Sequence, residues 1–180
     1  MPFSKPSTVS TRMNEKSLLL NGRPQALDVE HRTMLSDFAR ERGAVSVHLG
    51  CEHGVCGACN VLVDGQCVRS CLTLAHGCSG HRVETLEGLQ DGLAQRLRTA
   101  FNTHHALQCG FCTPGVFVAA YEMLASGDEL DEAAVRHRLA GNICRCTGYQ
   151  NIVAAILDVA RAGPAVDPVA ARSGAHQFQS

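Results

Sequence analysis

The sequence predicts an α+β protein, with a small β-sheet in the first half of the chain and a bundle of helices in the second. Short apolar stretches separated by Asn-Gly and Asp-Gly turns dominate residues 16–86, as expected for β-hairpins. Apolar residues spaced three and four apart dominate residues 87–162, as expected for amphipathic helices. We therefore predict two domains with these boundaries.

The first half contains two predicted hairpins and one predicted helix. One hairpin turns at Asn21-Gly22, and the other, within residues 60–72, turns at Asp64-Gly65. Both dipeptides tolerate the positive φ angles of two-residue hairpin turns. Between the hairpins, apolar residues at helical spacing follow Thr33, a candidate N-cap, and end at Gly43. Two hairpins crossed by one helix predict a β-grasp sheet.

The second half contains four predicted helices, which we expect to form a four-helix bundle. The first has a large apolar residue at every fourth position from Leu89 to Phe101. The second begins with Thr113-Pro114, as cap and first-turn residue, because proline is favoured in the first turn of a helix. Asp131 is a candidate cap of the third helix, and Thr147 is a candidate start of the fourth.

Composition limits the class of protein. The chain has 180 residues and a formal charge of −1, which gives no reason to expect nucleic acid as a partner. No apolar run approaches the roughly 18 residues of a membrane span. Residues 1–15 are polar and lack the apolar segment of a secretory signal, so we expect a flexible extension on a cytoplasmic protein. Residues 163–180 have no periodicity and predict a tail.

The ten cysteines favour metal binding over disulfide bonds, because cytosolic thiols stay reduced. Three of them lie in one glycine-rich loop, CEHGVCGAC: Cys51, Cys56 and Cys59. This C-x4-C-x2-C pattern is the plant-type spacing for three ligands of a [2Fe–2S] cluster. Structural zinc sites more often use two separate C-x2-C pairs. Gly54 and Gly57 permit positive φ angles, which lets backbone N–H groups approach the sulfurs.

The register of the second hairpin selects a fourth ligand for this site. With Asp64-Gly65 as the turn, Ala58 lies opposite Cys71, so Cys71 lies beside the cysteine loop. Strand alternation places Cys67 on the same face as Cys71, but Cys67 lies four residues back, about 13 Å away at strand rise. We therefore predict Cys71 as the fourth ligand and no redox role for Cys67 or Cys78.

A second cysteine group lies in the helical half and comprises Cys109, Cys112, Cys144 and Cys146. QCGFCTPG supplies a C-x2-C pair and GNICRCTGYQ supplies a C-x-C pair. Each pair precedes a predicted helix start, where free N–H groups and the helix dipole favour negative charge. Two converging helix starts would stabilise an anionic iron–sulfur site, although this pattern alone also fits zinc. We expect Tyr149 to pack against this site rather than cover a partner interface.

The motifs CEHGVCGAC, SCL, QCGFCTPG and GNICRCTGYQNIV, in this order, resemble those of the small iron–sulfur subunits of the molybdenum hydroxylases. That family includes xanthine dehydrogenase, aldehyde oxidoreductases and aerobic carbon monoxide dehydrogenase. The resemblance covers about residues 16–162. It implies a plant-type ferredoxin-like domain and a helical domain, each with one [2Fe–2S] cluster. It also implies that Gln108 and Cys146 contact the pterin of a molybdenum cofactor.

The resemblance implies an electron relay within a larger complex. Single electrons would pass from a molybdopterin centre on a large subunit, through both clusters, to FAD on a medium subunit or to another acceptor. The chain shows no G-x-G-x-x-G loop and is shorter than a molybdenum domain, so we expect substrate chemistry on a partner. A free-standing two-cluster ferredoxin-type carrier and a zinc-binding interaction module are the alternatives. His48 and His53 flank the first loop, but four cysteines are available there and we do not expect histidine ligands.

Overall fold

The computed structural model describes residues 16–163, and the predicted N-terminal extension and all but the first residue of the predicted tail lie outside this range. Within the described residues the strands are β1 (Ser17–Leu20), β2 (Arg23–Ala26), β3 (Asn60–Val63), β4 (Gln66–Arg69) and β5 (Arg82–Glu84). The α-helices there are α1 (Leu35–Glu41), α2 (Gly92–Thr103), α3 (Thr113–Ala125), α4 (Glu132–Arg138) and α5 (Gln150–Arg161). Short 3₁₀ turns cover Ser70–Leu72, Ala75–Cys78 and Leu139–Gly141. The predicted α+β class is confirmed.

The sheet has the strand order β2-β1-β5-β3-β4, and both predicted hairpins form within it. Asn21 and Asp64 adopt φ angles of 51° and 49° and are followed by glycines at positive φ, as two-residue hairpin turns require. Strand β5 joins the two hairpins, parallel to β1 and antiparallel to β3. Sequence patterns missed β5 because only Val83 of its three residues is buried, too little for an alternating signal.

Three predicted helix starts are displaced. The N-cap of α1 is Met34 rather than Thr33, because Met34 first pairs with Leu74 in an isolated β-bridge. Helix α3 has Cys112 at its N-cap and Thr113 as its first residue. The fourth helix of this half begins at Gln150 rather than near Thr147. The predicted cap at Asp131 is confirmed, since its carboxylate accepts the Ala134 N–H at 2.7 Å.

Strand β3 connects the two apolar cores. Val61 faces the core formed by the sheet and α1, together with Leu18, Leu35, Phe38 and Val83. Leu62, its neighbour, faces the helical core, together with Leu97, Phe101, Val116, Ile152 and Ile156. Because successive side chains of a strand point to opposite faces, β3 is buried on both sides and α3 packs directly against it.

Among the described residues, no helix has the length and hydropathy that crossing a membrane requires.

Candidate metal centres

The sheet half brings its four predicted ligands together as two thiol pairs. The Cys51 sulfur accepts a hydrogen bond from the backbone N–H of Cys56 at 3.4 Å, and the side chains of Cys51 and Cys56 also contact each other. The side chain of Cys71, on the 3₁₀ turn after β4, contacts that of Cys59, immediately before β3. Charge interaction between Cys71 and Cys51 links the two pairs. We call these four residues the sheet site.

Backbone N–H groups of the cysteine loop point at sulfurs of the sheet site. The N–H groups of Cys56 and then His53 lower the pKa of Cys51 to about 6. The loop achieves this by folding back on itself, with positive φ at Glu52, Gly54 and Gly57. Burial, followed by the hydrogen bond to Cys59, raises the pKa of Cys71 to about 11. A bound metal would therefore displace the proton of Cys71 to gain a thiolate ligand.

Cys67 lies elsewhere, although it is only four residues before Cys71. Its side chain packs against the helical core, whereas Cys71 belongs to the sheet core. Burial, and then the charge of Glu122 on α3, raise the pKa of the Cys67 thiol to about 12. The prediction that both cysteines share one face was wrong, because β4 ends at Arg69 and the following 3₁₀ turn redirects the chain. Cys78 is buried in the sheet core.

The helical half also forms two thiol pairs, each joining one cysteine before α3 to one before α5. The sulfurs of Cys109 and Cys146 are 3.5 Å apart, and the side chains of Cys112 and Cys144 contact each other. Burial, and then Cys144, raise the pKa of Cys112 to about 12. Burial opposes ionisation of Cys144 as well, but hydrogen bonds, chiefly from the side chain and backbone of Thr147, hold the pKa of Cys144 below its usual value. We call these four residues the helical site.

Tyr149 supports the helical site through its phenol oxygen. That oxygen accepts the backbone N–H of Cys144 at 2.8 Å and donates to the carbonyl of Asn142 at 2.9 Å. Tyr149 takes a left-handed conformation, with φ of 67°, immediately before α5. The expectation that Tyr149 packs against this site is confirmed. Thr147, which the sequence suggested only as a helix start, places its hydroxyl 3.1 Å from the Cys144 sulfur.

The two sites differ in exposure. Cys59 and Cys71 are buried, whereas Cys109 and Cys146 are exposed, as is the neighbouring Gln108. Large apolar side chains are exposed around both sites, namely Leu107, Phe111 and Ile143 at the helical site and Val55 and Leu72 at the sheet site. An exposed apolar surface around a polar site is typical of a surface that another protein covers.

The two sites are joined by direct contacts between their loops. The Ile143 N–H, next to Cys144, donates to the carbonyl of Cys56 at 2.8 Å. His48 donates from Nδ1 to the carbonyl of Phe111 at 2.7 Å, and the two rings stack with centroids 4.9 Å apart. His53 instead donates a hydrogen bond from Nδ1 to the carbonyl of Cys51, within its own loop, at 2.5 Å.

The arrangement of sulfurs suits diiron cores better than single metal ions. Zinc would draw four ligands tetrahedrally to one point. A [2Fe–2S] core takes four thiolates over two irons, so two thiol pairs per site provide one pair for each iron.

Comparison with known proteins identifies the family. Residues 18–84 match the 2Fe-2S iron-sulfur cluster binding domain family, and residues 85–157 match the [2Fe-2S] binding domain family. The chain is 49% identical over 140 residues to the nicotine 6-hydroxylase small subunit of Paenarthrobacter nicotinovorans, covering 77% of this chain and 85% of that protein. This chain belongs to the small iron–sulfur subunits of the molybdenum hydroxylases.

Two further proteins of this family are also similar to this chain. The xanthine dehydrogenase iron-sulfur-binding subunit of Escherichia coli O157:H7 is 47% identical over 142 residues, covering 77% of this chain and 89% of that protein. The quinoline 2-oxidoreductase structure from Pseudomonas putida 86 aligns with a TM-score of 0.75 at 46% identity, covering 81% of this chain and 93% of that chain. The chain is thus an electron-transfer subunit of a multi-subunit oxidoreductase, with two [2Fe–2S] domains.

Proposed function

We propose that this chain relays single electrons from a molybdopterin centre on a large subunit to FAD on a medium subunit. The proposed ligands of one cluster are Cys51, Cys56, Cys59 and Cys71, and those of the other are Cys109, Cys112, Cys144 and Cys146. When bound, each [2Fe–2S] cluster takes up and returns one electron. The observation that carries the proposal is the gathering of these eight cysteines into two sites of two thiol pairs each.

The residues around the sulfurs would hold the clusters and adjust their reduction potentials. We assign Cys51 with Cys56 to one iron of the sheet site, and Cys59 with Cys71 to the other. The backbone N–H groups that lower the pKa of Cys51 would also stabilise the negative charge of the bound cluster and raise its reduction potential. In the helical site, the Thr147 hydroxyl has the same role toward Cys144.

The loops of the two sites provide a short connection for the electron. The hydrogen bond from the Ile143 N–H to the Cys56 carbonyl, at 2.8 Å, joins a residue adjacent to one ligand with the backbone of another. Only this hydrogen bond and a few covalent bonds separate Cys144 from Cys56. We propose that electrons cross between the sites here.

The exposed helical site is the proposed contact with the large subunit. Gln108 and Cys146 are exposed and are the residues that we assign to the pterin, on the basis of the family resemblance. The exposed side chains of Phe111 and Ile143 would be covered by the same subunit. The sheet site would then deliver electrons to the flavin subunit.

We further propose the finer organisation of the chain. The sheet domain spans residues 16–86 and the helical domain spans residues 87–162, supported by family matches that meet between residues 84 and 85. Mutual contacts of α5 with α2, α3 and α4 support a four-helix bundle. We also propose a cytoplasmic location, where thiols stay reduced.

Metal analysis and electron paramagnetic resonance of the dithionite-reduced protein test the proposal. We expect about four irons per chain and two distinguishable [2Fe–2S] signals, in a stable complex that also contains molybdenum. Zinc in either site, or a single iron–sulfur signal, would contradict the cluster assignment. A monomer with full iron content and no larger partner would instead support the free-standing carrier.

A further inference from the structure

We infer that Arg69 is a positioning residue that fixes the separation and orientation of the two cluster sites. Arg69 is the last residue of β4, two residues before Cys71. No ligand pattern in the sequence points to it. The inference rests on the proposed function, because it takes both sites to hold clusters.

The guanidinium of Arg69 spans the space between the loops of the two sites. Its Nε donates to the carbonyl of Gly54, in the cysteine loop of the sheet site, at 3.1 Å. Its Nη2 donates to the carbonyl of Gly141, three residues before Cys144 of the helical site, at 2.6 Å. One rigid, planar group therefore holds a backbone carbonyl of each loop.

Asn60 extends this connection to a third segment. The side-chain oxygen of Asn60 accepts a hydrogen bond from Nη1 of Arg69. The amide nitrogen of Asn60 donates to the carbonyl of Gly115, in the first turn of α3, at 3.1 Å. Asn60 is 3% exposed, so water does not replace these bonds readily. Together, Arg69 and Asn60 tie the sheet-site loop to both segments that supply helical-site cysteines.

Arg69 also carries a positive charge two residues from Cys71, which becomes a thiolate when it binds a cluster. A [2Fe–2S] cluster with four thiolate ligands is anionic, and reduction adds another negative charge. A fixed cation nearby favours the reduced form and raises the reduction potential. Position and charge are separable effects, because lysine keeps the charge of Arg69 but cannot donate to both carbonyls through one planar fork.

Electron paramagnetic resonance of the fully reduced protein, with its clusters and partner subunits, tests the inference. Two paramagnetic clusters close together split each other's signals, and this splitting falls with the cube of their separation. In Arg69→Met we expect loss of the resolved splitting and a lower midpoint potential of the sheet-site cluster. In Arg69→Lys we expect the splitting to broaden while that potential stays close to the wild-type value.

Arg98→Met is the matched control. Arg98 likewise donates to two backbone carbonyls, those of Leu86 and Leu89, at 3.3 and 2.6 Å. It does not connect the two sites, so we expect wild-type splitting and potentials in this variant. Equal loss of splitting in Arg98→Met would overturn the inference, because any structural damage would then produce the effect.

Iron content separates this inference from the proposed function. Zinc or a missing cluster in the wild-type protein would refute the proposed function before any variant is compared. With full iron in the wild type, unchanged splitting in Arg69→Met would overturn the role of Arg69 alone. If Arg69→Met fails to retain iron, Arg69→Lys becomes the test of the inference. A splitting in Arg69→Lys that is no broader than in the wild type would then overturn it.

Discussion

The two cysteine sites gather the same number of thiols by different means. The sheet site takes three cysteines from the nine-residue loop 51–59 and one from the 3₁₀ turn that follows β4. The helical site takes two cysteines from the segment before α3 and two from the segment before α5. These segments lie far apart in sequence, since Cys109 and Cys146 are 37 positions apart. The sheet site therefore depends on local backbone conformation, and the helical site depends on how α3 and α5 pack.

This difference decides which changes each site tolerates. In the sheet site, positive φ angles at Gly54 and Gly57 turn the loop around its own sulfurs, and the register of the hairpin adds Cys71. In the helical site, the cysteine segments before α3 and α5 meet only because these two helices share one apolar core. Single-residue changes can therefore test the register, the contact between the sites, and the support of the helical site separately.

The largest expected effect comes from removing a sheet-site ligand. In Cys71→Ser we expect loss of one [2Fe–2S] signal and of half the iron, because the serine hydroxyl is a poor replacement for a thiolate ligand. The signal of the helical site should stay. Iron analysis and electron paramagnetic resonance on the reduced protein measure both quantities.

Cys67→Ser is the control for this experiment. Cys67 lies on β4, four residues before Cys71, but packs against the helical core. We expect both signals and the full iron content in Cys67→Ser, with a modest loss of stability from placing a hydroxyl in a mostly buried position. Loss of a cluster in this variant would show that the ligand assignment is wrong.

Much of the sheet half could be predicted from its sequence because its signals are local. Asn21-Gly22 and Asp64-Gly65 determine their own turns, and the observed register pairs Val63 with Gln66, as two-residue turns require. Cys71, chosen by distance as the fourth ligand, contacts Cys59, and its role as a ligand stays a prediction. The side-chain face of Cys71 could not be predicted, because β4 ends at Arg69 and a 3₁₀ turn follows.

The support of the sites was harder to predict. Arg69 contacts Gly141, 72 positions away, and no local pattern marks an arginine that donates to backbone carbonyls. The sequence indicates Thr147 only as a helix start, since its contact with Cys144 depends on the turn before α5. Cysteine spacing therefore indicates the candidate ligands, whereas their supporting contacts depend on tertiary structure.

A smaller effect is expected where the two halves meet most closely. A Cβ atom added at Gly115 would lie 2.9 Å from the Cα of Ala58 and closer still to the carbonyl oxygen of Gly57. Both are backbone atoms beside Cys59 and cannot move aside cheaply. We expect Gly115→Ala to lower the free energy of unfolding by about 1–3 kcal/mol, measured from the urea dependence of cluster absorbance and far-ultraviolet circular dichroism.

Gly92→Ala provides the matched control for this contact. Gly92 begins α2, and a Cβ atom there meets no atom within 4 Å. Alanine is a better helix former than glycine, so we expect unchanged or slightly higher stability. Equal destabilisation by both substitutions would contradict the close contact between the halves.

The smallest expected effect concerns the phenol that supports the helical site. Tyr149→Phe removes the partner of the Cys144 N–H and the donor to Asn142. We expect a loss of about 1 kcal/mol in stability, because Tyr149 is half-buried and water can replace part of these bonds. Loss of this support for Cys144 should also shift the electron paramagnetic resonance signal of the helical-site cluster, while the signal of the sheet-site cluster stays unchanged.

Tyr121→Phe distinguishes this local effect from general destabilisation. The Tyr121 hydroxyl donates to Asp91, which caps α2, so its removal should lower stability without altering either iron–sulfur signal. If Tyr149→Phe moved the sheet-site signal as far as the helical-site signal, the two sites would not be supported independently. The contrast between a locally built site and a packing-dependent site would then fail, because a change beside Cys144 would have propagated through the Ile143–Cys56 hydrogen bond to the other loop.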